Sequence, residues 1–328
     1  MRRLIIIVSI DTEEDQWGPG RAVTLDNIEA VPAAAERLSR LGIRPTWYTA
    51  WTVVANDDCA AYMTQIHRDQ TGEVAAHLHP WNTPPGEESQ PAPWQTMLCN
   101  LPEHIQDLKI QHLTKRLTDV RCGDAPTAFR AGRWGLGPGT IRALARSGYT
   151  VDSSVMPFIS WANEEAKGPN FIGAPFKPYW IGGDEVTVPQ HSSDILEIPA
   201  SVGFTRRGHR LWRAAQRATH RASVGRSPAS NLLWRTGGLR KVVMTPEMHG
   251  PDALLKTARA LEHDGVACLH LYWHSQSMTQ GLGPFSAAGT DGDSLFETMA
   301  TFVDGLRTFC EPVFMTASEA ATEMRATM

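Results

Sequence analysis

Residues 3–15, RLIIIVSIDTEED, decide the fold of this chain. Their first eight residues are mainly aliphatic and β-branched, and acidic residues follow directly after Ile10. A strand that is buried on both faces of a parallel sheet has this nearly continuous apolar pattern. The stretch therefore predicts a buried first strand with polar side chains at its carboxyl end.

The remainder of the chain alternates between apolar runs and amphipathic segments of ten or more residues. Such alternation is typical of βαβ units and a parallel sheet, with ligands gathered at the carboxyl ends of the strands. We expect a helix over 25–43 with Pro32 inside it and Gly42 ending it. Strands are predicted in RPTWYTAWTVV, EVAAHL, TAFRAG, YTVDSS, ILEIPAS, KVVMTPE, VACLHLYWHS and EPVFMTASEA, and further helices over 57–69, 102–121, GTIRALARSG, 251–264 and 293–309.

Composition limits the class of protein. The chain has 328 residues, of which 42% are hydrophobic, and a net charge of -4, which argues against attraction of the whole protein to nucleic acid. No run approaches the roughly 18 apolar residues of a membrane span, and the apolar start is too short for a signal sequence. The five cysteines form no C-x-x-C pair, so we expect a soluble cytoplasmic protein with neither disulfides nor a thiolate metal site.

One large domain is predicted over 1–328, with two unusual segments. Over about 156–194 the periodicity fails among prolines, glycines and aromatic residues, which predicts a long ordered loop over the sheet. Residues 206–241 contain ten arginines or lysines and no acid, and their first part is predicted to be helical. This basic segment is typical either of a solvated helix or of a surface for an anionic partner.

His77 and His79 lie one residue apart in HLHPW, where the third strand ends. Residues two apart on a strand point to the same face, so both imidazoles can reach one point. An isolated pair of this kind is equally well explained by structural histidines. Asp11 and Glu13 have the same spacing at the end of the first strand, and could supply one metal-binding and one unliganded carboxylate. Two nitrogens and one oxygen would leave a coordination position open, as in a catalytic zinc site.

Three further strand ends carry polar residues. Arg130, in FRAGRWG, could pair with Asp11 and hold it ionised, with Arg133 and Trp134 at the rim. Asp152, in YTVDSS, could orient a histidine. His274, in LHLYWHS, would become a protonated general acid beside a carboxylate, whereas His270 is expected to be a core histidine.

Five stretches of the chain resemble, in order and spacing, the five successive motifs of the polysaccharide deacetylase (NodB homology) family. These stretches are SIDTEED, EVAAHLHPW, FRAGRWG, GYTVDSS and YWHSQSMTQGLGPF. The resemblance covers almost the whole chain, and its last motif is similar to the branch found in bacterial glycan-assembly clusters. It implies a distorted (β/α) barrel of about seven parallel strands and the hydrolysis of an N-acetyl group from an amino sugar.

The resemblance also implies roles for individual residues. Asp11 would be the catalytic base and Arg130 its orienting partner. Asp152 would tune His274, which would protonate the departing amine. Glu13 and His77 would bind the metal.

Two departures from the family pattern affect the metal ligands. Thr12 separates the two carboxylates that the family has adjacent, and Trp81 stands where the second histidine is usual. We therefore assign His79 as the second nitrogen ligand. Zn²⁺ is the expected ion, although nitrogen and oxygen ligands also accept cobalt or nickel.

Aromatic and basic residues suggest how a substrate is bound. Trp81, Trp134 and Trp273, beside the predicted site, could stack on a pyranose ring, although core packing is the commoner role of a tryptophan. The basic segment 206–241 could receive a phosphate or diphosphate on the sugar, or contact a membrane peripherally.

Other functions remain open at this point. The same site chemistry would serve a small amide or a cyclic ureide. An amidohydrolase barrel also uses an H-x-H pair, but on its first strand, whereas the pair here lies on the third. A carbohydrate-binding protein without turnover is less favoured because Asp11, Arg130, Asp152 and His274 are all present.

Overall fold

A computed structural model of the chain describes residues 1–16, 18–86, 90–222, 240–283 and 292–326. Its strands are β1 (Arg2–Thr12), β2 (Thr46–Thr49), β3 (Glu73–Leu78), β4 (Ala128–Ala131), β5 (Val151–Asp152), β6 (Tyr179–Ile181), β7 (Ile195–Glu197), β8 (Val202–Phe204), β9 (Lys241–Val243), β10 (Cys268–His274) and β11 (Cys310–Phe314). Its α-helices are α1 (Val31–Arg40), α2 (Trp51–Ala55), α3 (Asp57–Asp69), α4 (Glu103–Val120), α5 (Pro138–Arg146), α6 (His209–Ala222), α7 (Pro251–His263), α8 (Gly292–Leu306) and α9 (Ala317–Arg325).

Nine strands form one curled sheet around β1. Their order is β10-β1-β2-β3-β4-β5-β7-β6, with β11 beside the first half of β1. Every pairing is parallel except that of β6 with β7. The expected distorted (β/α) barrel with parallel strands is therefore confirmed, and β6 adds an antiparallel edge within the segment 156–194, for which only loop was expected.

The open side of this half-barrel, between β10 and the residues that follow β7, is bridged by backbone hydrogen bonds. Ser201 N donates to His270 O at 2.9 Å, Met244 N to Ser201 O at 2.9 Å, and Tyr272 N to Met244 O at 3.2 Å. Ser201 and Met244 flank the antiparallel pair β8–β9. The hairpin thus brings the residues after β9 to the carboxyl end of β10.

The side chains of β1 are buried on both faces, as the apolar run predicts. Leu4, Ile6, Val8 and Ile10 belong to the large core under the helices, whereas Ile5 and Ile7 belong to a smaller inner core that α9 completes. Towards the carboxyl end the inner side becomes polar, with Ser9, Asp11 and Glu13 all buried. The barrel is therefore sealed by apolar residues at one end and lined by polar residues at the other.

Two helical predictions are refined. Pro32 lies at the start of α1, where its missing N–H costs no hydrogen bond, and a short 3₁₀ turn (Asp26–Ala30) precedes it. Helix α6 covers the first part of the basic segment, and the remainder, 223–239, lies outside the described residues. None of the helices in the described ranges is long and apolar enough to cross a membrane.

Candidate metal centre and its acid-base partners

Three buried side chains from two strand ends meet at one point. The Oε2 atom of Glu13 lies 3.4 Å from Nε2 of His77 and 3.1 Å from Nε2 of His79. One donor atom from each residue falls within 4.8 Å of the other two, which is close enough to share one ion. The proposed ligands, including His79 at its unusual spacing, are thus brought together.

Neighbouring groups orient the donor atoms of His77 and Glu13. Nδ1 of His77 lies 3.1 Å from the carbonyl oxygen of Arg130, so this nitrogen carries the proton and Nε2 is left to bind. Gln276 donates to the other carboxylate oxygen of Glu13 at 3.2 Å, which leaves Oε2 for an ion. Two imidazole nitrogens and one carboxylate oxygen form the donor set of a catalytic zinc site, so the residues present fit a divalent metal.

Charge couples these side chains. Burial disfavours the ionised carboxyl, yet the His79 and His77 rings lower the pKa of Glu13 well below its ordinary value. Burial lowers the pKa of His79, but Glu13 outweighs it and raises this pKa to about 9. A metal would therefore replace a proton held between Glu13 and His79.

Space for the His79 ring is provided by Gly132, which follows β4. A methyl group at this glycine would overlap the imidazole of His79. Trp81 stacks on the other side of the ring, with the centroids 4.4 Å apart. The glycine of FRAGRWG and the tryptophan of HLHPW together fix where His79 lies.

Asp11 is held by Arg130 in the barrel interior. Arg130 is fully buried, pairs with Oδ1 of Asp11, and donates from Nε to Ser153 O at 3.1 Å. Its guanidinium carbon lies 4.2 Å from the ring centroid of Tyr48. The contact expected from the sequence, an arginine paired with Asp11, is present.

His270 is the core histidine expected from the sequence. Burial and the nearby Arg130 hold the pKa of His270 well below its ordinary value, so the ring is neutral. Its Nε2 accepts a hydrogen bond from Nη2 of Arg130 at 3.1 Å and lies 2.8 Å from Oγ of Ser9. His270 therefore supports Arg130 from below the site.

The partner of His274 corrects one expectation. Nδ1 of His274 lies 3.1 Å from both carboxylate oxygens of Glu247, and the backbone N–H of His274 donates to Oε1 at 2.8 Å. Ser277 donates to the same oxygen at 2.5 Å. Burial lowers the pKa of His274, but Glu247 raises it to about 10, so the imidazole is protonated at neutral pH. Glu247, and not Asp152, orients this histidine.

Asp152 instead lies in a buried pair with Glu197 on the neighbouring strand β7. Ser154 donates to Asp152 from its hydroxyl at 2.7 Å and from its backbone N–H at 3.1 Å. Burial raises the pKa of Asp152, and burial together with Asp152 raises that of Glu197 well above its ordinary value. The pair of carboxyl groups therefore holds a proton. Asp152 is also close enough to Arg130 to interact with its charge, so it lies among the residues that support Arg130.

The four predicted substrate-binding residues differ in how much of each is exposed to solvent. Trp273 is fully buried, since residues alternate along β10 and its neighbour His274 faces the barrel interior. It belongs to the large core, so its expected contact with substrate is wrong. Trp81 and Trp134 are 7% and 9% exposed, and Trp134 packs edge-on against Tyr272. Arg133 is exposed and donates to Thr96 at 2.8 Å.

Glu247 and Gln276 were missed by the sequence analysis. Glu247 follows β9 in KVVMTPE, which was interpreted only as a strand, and reaches His274 because the β8–β9 hairpin fills the gap beside β10. Gln276 lies in HSQS, within the fifth motif. A carboxylate directly after a strand was the available signal for Glu247, since the same signal identified Asp11 and Glu13.

Comparisons with known proteins show that this chain shares its fold with solved structures. No family model and no curated protein sequence matches the chain. A solved structure named as a polysaccharide deacetylase from Mycobacterium smegmatis superposes with a TM-score of 0.53 at 16% identity, over 99% of this chain and 91% of that one. One named as a glycoside hydrolase/deacetylase from Parabacteroides distasonis gives 0.61 at 14% identity, over 100% of this chain and 72% of that one. The chain has a polysaccharide deacetylase fold. Within this deacetylase fold, Glu13, His77 and His79 lie at the carboxyl ends of the parallel strands, where the sequence motifs predicted them.

Proposed function

We propose that this protein is a metal-dependent hydrolase that removes an N-acetyl group from an amino sugar and releases acetate. The observation that carries the proposal is the convergence of Glu13, His77 and His79 on one point at the barrel mouth. A buried aspartate with an arginine partner and a protonated histidine with a glutamate partner flank this point. Each group required for metal-assisted amide hydrolysis is thus present.

A divalent cation held by Glu13, His77 and His79 would polarise the acetyl carbonyl and lower the pKa of a water molecule. Asp11, oriented by its contact with Arg130, accepts the proton that this water loses on attacking the carbonyl carbon. His274 donates the proton that Glu247 holds on its ring to the amide nitrogen as the carbon–nitrogen bond breaks. The products are acetate and a free sugar amine. Zn²⁺ is the ion we propose, because two imidazoles and one carboxylate suit it.

Acetate release from a panel of free, nucleotide-linked and lipid-linked N-acetyl sugars tests the proposal. Asp11→Asn should abolish release while metal binding persists, because Asp11 supplies no donor atom to the Glu13 group. Asp58→Asn, an exposed change in α3, serves as the matched control. Undiminished turnover in Asp11→Asn would remove Asp11 from the role of base.

The rival substrate class is a small amide or a cyclic ureide, since the same acid, base and metal would hydrolyse it. Including such compounds in the panel separates the two classes. A carbohydrate-binding protein without turnover is the other rival. It predicts saturable sugar binding with no acetate released at any metal concentration.

An anionic partner is proposed for the described part of the basic segment. Arg206, Arg207 and Arg210 are exposed there, and the neighbouring Leu211 has 75% of its surface exposed. Cations beside an apolar side chain suit a phosphate-bearing lipid or a membrane surface, which would place the protein peripherally at the cytoplasmic face. Sedimentation with vesicles rich in phosphatidylglycerol, but not with phosphatidylcholine vesicles, is expected. Equal sedimentation with both would contradict this.

A further inference from the structure

A cleft of about 800 Å³ opens beside the β8–β9 hairpin, and no step of the proposed reaction uses it. It lies between the residues that follow β8, the residue before β9 and the first turns of α7. We define the basic cleft by Arg206, Arg240, Asp252 and Lys256, which all line it. Its volume is within the roughly 300–1,000 Å³ of small-molecule sites.

The hairpin brings together two arginines that are far apart in the sequence. Phe204 pairs with Lys241 where the antiparallel strands begin to separate. One residue further, Thr205 N donates to Arg240 O at 3.1 Å, and Arg240 N donates to the hydroxyl of Thr205 at 3.4 Å. This pairing carries Arg206 and Arg240 into the wall of the same cleft.

Helix α7 adds a lysine to the opposite wall. Gly203 of β8 lets this helix approach closely, because a methyl group at Gly203 would lie 2.9 Å from Cγ2 of Thr257 and 3.0 Å from Cδ1 of Leu261. Thr257 and Leu261 are buried in this contact, whereas the adjacent Lys256 is exposed and lines the cleft. Basic side chains from three separate segments of the chain thus surround one space.

The positive charges of the basic cleft are not neutralised within the part of the chain that the structure describes. None of its three basic side chains forms an ion pair with a described residue, and Arg240 donates only to the ring nitrogen Nδ1 of His249, at 3.1 Å. Asp252 is the one acid among the lining residues, so three positive charges and one negative charge leave a net charge of 3 − 1 = +2. Such a concave cationic surface attracts an anion with more than one charge.

We propose that the basic cleft binds a phosphate or diphosphate group. The planar forks of two arginines suit phosphate oxygens, and the lysine adds a point charge. A phosphate carries about two negative charges at pH 7, which matches the net charge of the lining, whereas a carboxylate carries one. Lys256 lies outside the basic segment 206–241, so this site is more than a property of that segment. The inference goes beyond the proposed deacetylation and does not depend on it.

The test is calorimetric titration of the zinc-loaded protein with uridine diphosphate, and with uridine as the uncharged counterpart. Uridine diphosphate should bind much more tightly than uridine, and Lys256→Gln and Arg240→Gln should each lower its affinity about tenfold through loss of a charged contact. Lys256→Arg keeps the charge and should retain most of the affinity. Arg210→Gln is the matched control, because it removes one exposed positive charge from α6 outside the cleft.

Several results would overturn the proposal. These are equal affinities for uridine diphosphate and uridine, an affinity unaltered in both Lys256→Gln and Arg240→Gln, and a loss in Arg210→Gln as large as that in Lys256→Gln. Uridine diphosphate held by the zinc ion would instead lose affinity in His79→Gln and not in Lys256→Gln, which also overturns it. Because the readout is binding, failure of acetate release leaves this result unaffected.

A second measurement distinguishes a soluble phosphate compound from a lipid headgroup. The protein is sedimented with phosphatidylglycerol vesicles in the presence and absence of uridine diphosphate. Once Lys256→Gln has been shown to weaken binding of uridine diphosphate, vesicle binding that this compound displaces assigns the site to a lipid phosphate. Vesicle binding that it leaves unchanged assigns the site to a soluble phosphate compound, and both results support the site.

Discussion

Replacing Glu247 by Gln tests the origin of the proton that His274 is proposed to donate. Burial disfavours the His274 imidazolium, but Glu247, together with Glu13 and Asp11, raises the pKa of His274 from 6.5 to about 10, a change that corresponds to roughly 5 kcal/mol in favour of the imidazolium. Glu247→Gln removes the largest of these raising contributions while burial remains, so the pKa of His274 should fall. At pH 7.5 a smaller fraction of the variant than of the wild type would then be protonated.

The sign of the effect follows from the raised pKa. Wild-type His274 loses its proton as pH rises towards 10, so kcat/KM should persist into the alkaline range. In Glu247→Gln the alkaline decline of kcat/KM should begin at a lower pH than in the wild type, with a loss of about tenfold for each pH unit above the lowered pKa. The assay is acetate release across pH with zinc-loaded protein, supported by NMR titration of His274 in the metal-free protein.

Asp152→Asn is the matched control for this change. Ser154 donates a hydrogen bond to Asp152, which also pairs with Glu197. Substitution of Asp152 should therefore leave the alkaline decline of the pH profile of kcat/KM at the same pH. Glu247→Asp should restore part of the shift. If the alkaline decline of kcat/KM shifts to lower pH in Asp152→Asn and not in Glu247→Gln, the assignment of Glu247 as the partner of His274 is refuted.

Three further predictions concern the metal ligands and the base: two substitutions and one pH dependence. Gly132→Ala should displace His79 and weaken zinc binding by about tenfold or more, measured by titration against a chelator. In the wild type, zinc affinity should rise by about tenfold per pH unit from pH 7 to 9, because the metal replaces a proton on His79, whose pKa Glu13 raises to about 9 in spite of burial. Arg130→Met should lower the free energy of unfolding by about 3–5 kcal/mol in a denaturant titration, because Asp11 is left buried without its cation.

Each of these has an outcome that contradicts it. Gly250→Ala is the control for the glycine, since a methyl group there meets open space, and equal zinc affinity in both variants would show that His79 does not depend on Gly132. A zinc affinity independent of pH would mean that no proton is displaced. An Arg130→Met protein as stable as the wild type would mean that Asp11 is neutralised by another route.

The strand ends could be predicted from the sequence because parallel strands place their carboxyl ends at one edge. This geometry alone brings together Asp11 and Glu13 from β1, His77 and His79 from β3, and Arg130 from β4. The reasoning requires no knowledge of distant contacts, only that the apolar run before each polar residue is a strand. Residues 3–15 are informative for the same reason, since a strand buried on both faces has few alternatives.

Contacts made through insertions could not be predicted in the same way. Glu247 reaches His274 only because β8 and β9 form a hairpin that fills the gap between β7 and β10, and no local pattern fixes where that hairpin docks. Asp152 was assigned to His274 because the family resemblance implied it, and no local pattern shows that Asp152 lies beside Glu197. The error at Trp273 was avoidable, because alternation along β10 places it on the face opposite to His274.

Anomalous diffraction at the zinc edge, from crystals of protein purified without chelator, tests the central claim most directly. The account predicts one peak within coordination distance of Glu13 Oε2, His77 Nε2 and His79 Nε2, and the loss of that peak in His79→Gln. A peak bound by other residues, or a Glu13 group that stays metal-free when zinc is supplied in excess, would contradict it.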